Sequence, residues 1–241
     1  MSCLAHIFNS HYPKERLQVI LVDNASTDRT EVLIKYLIEK GYPIIYLKQT
    51  ENFGFVKGNN IGFKHVDTPY FMLLNNDAFV SEDCIPEMMR VITMNRNIGA
   101  VGAIEHFMNG EPSKGNTPFV FFKPKTLLDP ELKSLQELGL DEMTEFVDVD
   151  IIGSACAVIR TEAIKSNTLM DERFHPAHYD QESLWMEIKY INGYRVVMST
   201  GAYFQHRIAG TTSLDLNFFN KVLQVNKQKF LDKWLQFWVN K

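Results

Sequence analysis

Asn75-Asn76-Asp77 is the first place where this 241-residue sequence offers chemistry. The tripeptide cuts short a continuous apolar run, Tyr70 to Leu74, of the kind that forms a strand buried on both faces. No glycine or proline is present to make an ordinary turn. Open α/β sheets place their ligands at the carboxyl ends of such strands. Asp77 there is either a hard-cation ligand able to hold a metal against a diphosphate, or a loop aspartate capping the next helix. Asp180-Gln181-Glu182 sets two carboxylates at the start of a helical pattern, where they also complement the helix dipole. His206 follows a strand-like run and precedes a Gly-Thr-Thr-Ser turn. A lone histidine in that place is a metal ligand or a satisfied structural residue.

These residues need elements to position them. Leu4, Ile7 and Phe8 suggest a short helix closed by Pro13, and Leu17 to Val22 a buried strand ending at Asp23-Asn24. Ser26 or Thr27 can cap a helix with Val32, Leu33, Tyr36 and Leu37 inward, closed by Gly41. Ile44 to Leu47 is the next strand, and Asn52 to Asn60 a polar, glycine-containing entry into a helix that Thr68-Pro69 ends. Ile85, Met88, Met89 and Ile92 predict a helix over 83–95, followed by a strand over 98–104. Residues 105–145 lose periodicity and gain Pro112, Pro118, Pro124 and Pro130, which reads as a long excursion with at most one short helix. Periodicity returns over 149–160, with Gly153-Ser154-Ala155 in its middle. A helix over 180–192, with Leu184, Ile188 and Ile191 inward, precedes a strand over 195–199. Leu231, Trp234, Leu235 and Trp238 form a stripe on a C-terminal helix that packs on the domain or a second subunit, or lies in a membrane interface. The alternation predicts an α/β fold with a doubly wound, mostly parallel sheet flanked by helices.

The composition is that of an ordinary globular chain, 45% hydrophobic and 22% charged. A net charge of −4 gives no reason to expect nucleic acid as a partner. Cys3, Cys84 and Cys156 share no metal-type spacing and read as free thiols in a reducing compartment. With no leader and no apolar run long enough to span a bilayer, the expected location is cytoplasmic.

Taken in order, Val22-Asp23-Asn24-Ala25-Ser26-Thr27-Asp28, Asn52-Phe53-Gly54 to Asn60, Leu74-Asn75-Asn76-Asp77, Gly153-Ser154-Ala155 and Asp180-Gln181-Glu182 resemble family 2 glycosyltransferases of the GT-A fold. The rhamnosyltransferase-like branch is the most similar in wording. The resemblance covers Cys3 to about Ser213, so the expected organisation is one domain over 1–213, with a nucleotide-binding half at 1–104 and an acceptor-binding half at 105–213. Residues 214–241 form a helical extension.

The resemblance implies inverting transfer of a sugar from a nucleotide-diphosphate donor to an acceptor hydroxyl, with Mn2+ or Mg2+ as cofactor, in surface or capsular polysaccharide synthesis. It assigns Asp23, Asn24 and Ser26 to the nucleoside, and Asn52, Gly54, Gly58 and Asn60 to the loop along the donor. Asn75 and Asn76 flank the donor, Asp77 and His206 hold the metal, and Gly153 and Ser154 face a saccharide or lipid-linked saccharide acceptor. Relatives read Glu-Asp-x-Asp-Leu where this chain has Tyr179-Asp180-Gln181-Glu182-Ser183-Leu184. Aligning on Leu184 puts the base at Gln181, which cannot accept a proton, and counting back from Gly193 puts it at Glu182. Asp180, which opens the helix, is the preferred base, with Glu182 close behind. The resemblance also implies a first strand ending in a Thr-Tyr-Asn-type motif, and this sequence starts in the helix that should follow it. The expected fold therefore has that strand missing, which opens the way to a homodimer through the gap or to a catalytically inactive nucleotide-sugar binding or scaffold protein. A dinucleotide-dependent enzyme is disfavoured because the turn after Val22 carries no Gly-x-Gly-x-x-Gly. A nucleotidyltransferase is disfavoured because no glycine-rich basic loop follows the first strand.

Overall fold

A computed structural model describes residues 2–106, 119–126, 129–134, 144–153, 155–206 and 216–239. In chain order the first elements are helix α1 (Ser2–Asn9), strand β1 (Val19–Asp23), helix α2 (Thr30–Glu39), strand β2 (Ile44–Lys48) and helix α3 (Gly54–Phe63). Strands β3 (Tyr70–Leu74) and β4 (Ala78–Val80), helix α4 (Cys84–Met94) and strand β5 (Ile98–His106) follow. Then come strands β6 (Phe119–Thr126), β7 (Asp129–Ser134), β8 (Phe146–Asp148) and β9 (Cys156–Arg160). Helix α5 (Asp180–Met186) continues into a π turn over Glu187–Ile191, and strand β10 (Arg195–His206) and helix α6 (Leu216–Val239) complete the order. The chain divides into a larger unit, Met1–Tyr12, Thr68–Lys165 and Trp185–Leu216, and a smaller one, Pro13–Asp67, Ser166–Leu184 and Asn217–Lys241.

In the smaller unit β1 and β2 pair in parallel, Val19 opposite Ile44 through Asp23 opposite Lys48, with α2 as the crossover and α3 packed on β1. The two-stranded sheet leaves Val19 to Val22 only half-buried, although their sequence reads as a fully buried strand. Helix α2 begins at Thr30, later than Ser26 or Thr27 would start it, because Asp23 accepts the Ser26 amide and Asp28 accepts the Thr30 amide. The buried face centres on Ile34, with the expected Leu33 and Leu37 half-buried beside it, while Val32, 71% exposed, and Tyr36 face outward. Helix α6 belongs to this unit and buries Asn226, Phe230 and Trp234, spaced four residues apart, leaving Leu235 exposed. No described helix is long and apolar enough to cross a membrane.

In the larger unit the described strands form a sheet in the order β3-β9-β5-β10-β4, with β8 also on β10. Strand β9 is antiparallel to both β3 and β5, and β5 is parallel to β10, so β3, β5 and β10 all run one way. The α/β class with same-direction main strands stands, with β9 reversed among them and the short β4 and β8 added antiparallel. Strand β3 has one ladder partner among the described residues and buries Leu73 alone, where its sequence suggests burial on both faces. Helix α4 matches its expected bounds, with Asp83 and Asn95 as caps, and packs Cys84, Ile85, Met88, Val91 and Ile92 inward. Arg160 fixes its end, donating to the carbonyls of Ile92, Asn95 and Ile98 and to the Tyr70 hydroxyl.

Part of the 105–145 excursion is ordered strand. Strands β6 and β7 form an antiparallel ribbon in which Pro124 faces Pro130, with register shifts on either side. Proline reads as a breaker in a sequence but is tolerated at bulges and edges, so this ribbon escapes a pattern search. Residues 107–118, 127–128 and 135–143, where a short helix was expected, lie outside the described residues. Ile191, expected inward, is exposed: the π turn adds a residue to the helical repeat and swings the face round.

Candidate active site

The smaller unit carries the first cluster. β1 delivers Asp23 at its carboxyl end, 3% exposed, and a left-handed Ala25 turns the chain sharply after it. Asp23 Oδ1 accepts the Ser26 amide at 2.7 Å and Oδ2 accepts from the Tyr46 hydroxyl on neighbouring β2. Burial pushes this carboxyl up, but the hydrogen bonds from Ser26 and Tyr46 outweigh it and hold the pKa below the ordinary range. Asp23 is thus a fixed anion, with Ser26 exposed beside it. Tyr46 had no signal in the sequence, because only the β1–β2 register brings it there.

Asn24 donates from Nδ2 to the Gly54 carbonyl at 3.2 Å, while its Oδ1 is buried without a partner. Asn52 Oδ1 accepts the Gly54 amide at 2.9 Å, making the turn into α3. Gly54 has φ +73, and a Cβ there would lie 2.9 Å from Pro176 Cβ, so both its conformation and its neighbour demand glycine. A Cβ at Gly58 would press within 3.0 Å of Asn24 Nδ2. Asn60 departs from the expected donor loop. It is buried and clamps Met170, donating to its carbonyl at 2.9 Å and accepting its amide at 2.8 Å. A carboxamide so engaged holds the fold together instead of reaching a ligand.

Asp180 opens α5 in the same unit, 2% exposed, with Oδ2 unpartnered. Burial first, and the charge of Glu182 second, push its pKa up to about 7. Burial also pushes the half-exposed Glu182 upward. A carboxyl poised near neutrality is suited to taking a proton from a weakly acidic group.

The larger unit carries the second cluster. After β3, Asn75 donates its amide to the Ala155 carbonyl at 3.0 Å, which brings Ala155 against the tripeptide. Ser154 itself lies outside the described residues. Asn76 is exposed, and Asp77 Oδ1 lies 3.0 Å from His206 Nε2. His206 is the last residue of β10 and does not follow the strand, which runs seven residues past its expected end at Ser199. The antiparallel register with β4 sets His206 opposite Ala78, and the parallel register with β5 sets Phe204 opposite Glu105. Glu105 Oε1 is 3.6 Å from His206 Nδ1, buried and without a hydrogen-bond partner. Glu105 first, with Asp77, holds the imidazole above its ordinary pKa.

Among the described residues no group of three or more such side chains stands in coordinating geometry, and Asp77 and His206 meet each other directly. Asp77 and Glu105 face opposite nitrogens of the ring, so a carboxylate and the imidazole Nε2 are the pair suited to a hard divalent cation, while Glu105 orients the ring from Nδ1. Glu105 had no motif around it. Its place depends on the β5–β10 register.

Residues 2–166 match the family described as Glycosyl transferase family 2. Among curated proteins, the chain is 21% identical over 238 residues to glycosyltransferase GlyG of Streptococcus pneumoniae, covering 96% of this chain and 75% of that one. It is 30% identical over 131 residues to the minor teichoic acid biosynthesis protein GgaB of Bacillus subtilis, covering 52% of this chain and 14% of that one. Among solved structures, GalNAc-T7 with UDP, GalNAc and Mn2+ superposes with a TM-score of 0.68 at 12% identity, over 85% of this chain and 40% of that one. At that identity the likeness is one of fold.

Proposed function

Because the chain belongs to glycosyl transferase family 2, we propose that it moves a sugar from a nucleotide-diphosphate donor to an acceptor hydroxyl, with inversion and with help from Mn2+ or Mg2+. The observation that carries this reading is where two unpaired buried acceptors of the smaller unit fall: Asn24 Oδ1 and Asp180 Oδ2, both on motif residues. Folded proteins seldom leave such atoms unmatched, and a donor and an acceptor hydroxyl would match them.

In this reading Asp23, Asn24 and Ser26 hold the nucleoside, and Asn52, Gly54 and Gly58 line the donor. Asn75 and Asn76 border the diphosphate, with Asp77 and His206 Nε2 holding the cation and Glu105 steadying the ring from Nδ1. The cation supplies positive charge against the departing diphosphate. Gly153 and Ser154 face the acceptor. Asp180 takes the acceptor's hydroxyl proton as that oxygen attacks the anomeric carbon, while the bond to the diphosphate breaks on the opposite face. Burial first, and the like charge of Glu182 second, keep Asp180 proton-hungry.

The name of the B. subtilis relative, a minor teichoic acid biosynthesis protein, supports a surface polymer as product; the acceptor in this reading is a saccharide or lipid-linked saccharide met in the cytoplasm. Exposed Leu235 and Val239, one turn apart on α6, support peripheral contact at the inner face of a membrane. The test is titration calorimetry with UDP-, dTDP- and GDP-sugars, with and without manganese, on wild type and Asp77→Ala, followed by turnover. Metal-dependent binding of one donor class, lost in the variant, with transfer to a hydroxyl acceptor, is the expected result. Binding without turnover would make the chain a nucleotide-sugar binding protein. No binding by folded protein would end the enzyme reading.

A further inference from the structure

Within the smaller unit, α6 grips the segment leading into α5 through polar side chains. Asn226, 1% exposed, donates from Nδ2 to the carbonyls of Phe174 at 2.7 Å, Ala177 at 2.8 Å and His178 at 3.4 Å. Its Oδ1 accepts from Lys229 Nζ at 2.9 Å, and Lys229 also donates to the Arg173 carbonyl at 2.7 Å. Farther along the helix, Lys233 Nζ reaches Asp171 Oδ2 at 2.9 Å and Ser183 Oγ at 2.8 Å. The helix therefore holds both ends of the stretch 171–183, which contains Asp180.

That stretch needs holding. His178 and Tyr179 are both left-handed, at φ 74 and 62, without being glycine. Such backbone persists where its surroundings over-determine it. The same stretch supports the start of α3, where the Pro176 carbonyl accepts the amides of Phe55 and Val56 at 3.0 and 3.2 Å. For packing alone, an apolar residue would serve better than an amide in line with Phe230 and Trp234 on a buried face. The amide is there for its donors.

We propose that Asn226 is a positioning residue, whose carboxamide holds the 174–179 backbone in the left-handed path that presents the Asp180 carboxyl to the acceptor. The role rests on reading Asp180 as the base.

The test compares wild type with Asn226→Leu, Asn226→Asp and Asn226→Gln. A control, Ile34→Ala, weakens the same unit through the buried face of α2. Two readouts are taken: kcat and donor KM, and amide hydrogen exchange across 174–183. Asn226→Leu should lower kcat about 100-fold with donor KM within about threefold, and speed exchange there about tenfold or more. Asn226→Asp, the same shape with an acceptor turned on three carbonyl oxygens, should be at least as severe. Asn226→Gln keeps the donor group and should fall between, which preserves the test if the leucine variant does not fold. Ile34→Ala should lower global stability while keeping kcat and local protection. The proposal is overturned if Asn226→Leu behaves like Ile34→Ala, if only one of the two readouts moves, or if Asn226→Asp keeps near wild-type kcat. Should wild type turn over no donor, the transfer reading fails by itself and exchange alone decides whether Asn226 holds the segment.

Discussion

Replacing Asp180 with asparagine should stabilise the fold while removing turnover. The carboxyl is 2% exposed, has an unpartnered Oδ2, and is pushed by burial and by Glu182 from 3.8 to about 7. In the unfolded chain it ionises near its ordinary value, so between those two values the folded state binds the proton more tightly. Wild-type stability must therefore fall as pH rises from about 4 to about 7. Below that window both states are protonated and no penalty exists; above it both are ionised and the penalty is constant. At about 1.36 kcal/mol per pKa unit, the penalty is about 1 kcal/mol at pH 4.5, about 3 at pH 6 and about 4 at pH 8. Asparagine keeps the shape without the charge, so Asp180→Asn should gain those amounts at those pH values.

Urea denaturation followed by tryptophan fluorescence at the three pH values checks this, with activity measured on the same samples. A stability difference that stays flat with pH, or shrinks as pH rises, would refute the claim that a buried carboxylate with an unpartnered oxygen is maintained there. A pH-dependent gain with full activity retained would refute Asp180 as the base. The two results separate, because the first tests burial and the second tests chemistry. A residue held at a cost to stability, and removable only with loss of rate, is the expected behaviour of a catalytic group.

Other outcomes follow from the same geometry. Asp77→Ala should abolish the manganese-dependent part of donor binding by calorimetry and leave metal-free binding within about threefold. Tyr46→Phe removes a hydrogen bond to the Asp23 carboxylate, so donor affinity should drop about tenfold, for a loss of about 1.5 kcal/mol. The Asp23 pKa is lowered in the fold, so its stabilisation is present above the unfolded value and lost in acid. The stability difference between Tyr46→Phe and wild type should accordingly shrink as pH falls towards 3. Gly54→Ala meets both a left-handed φ and Pro176 Cβ at 2.9 Å, and should cost about 2 kcal/mol in denaturation along with donor binding. Arg160→Leu leaves the carbonyls of Ile92, Asn95 and Ile98 without their donor and should cost about 3 kcal/mol, read from the denaturation midpoint.

What the sequence revealed divides by how far apart the cooperating residues lie. Asp23, Asp77 and Asp180 were visible because each stands at the end of a strand or the start of a helix whose own pattern announces the boundary. Helix α4, Cys84–Met94 against the expected 83–95, was placed within one residue at each end because its caps and stripe lie within one stretch. The errors arose where a neighbour resets the geometry. Hydrogen bonds at Asp23 and Asp28 delay the start of α2, and a π turn exposes Ile191. Tyr46 and Glu105 were invisible for the same reason, since each reaches its partner through strand register alone.

Asn226 shows a third case, in which the signal was present but carried a different meaning from the pattern around it. Its spacing to Phe230 and Trp234 places it on the buried face of α6, and a stripe read for apolar residues passes over it in favour of Leu231 and Leu235. Leu235 is half-exposed, while the asparagine is almost wholly buried. A buried amide persists only where its donors and acceptors are matched, so its presence on an inward face implies a backbone segment nearby in need of fixing. Here that segment is the left-handed path before Asp180, so the helix farthest along the chain is tied to the carboxyl proposed as the base.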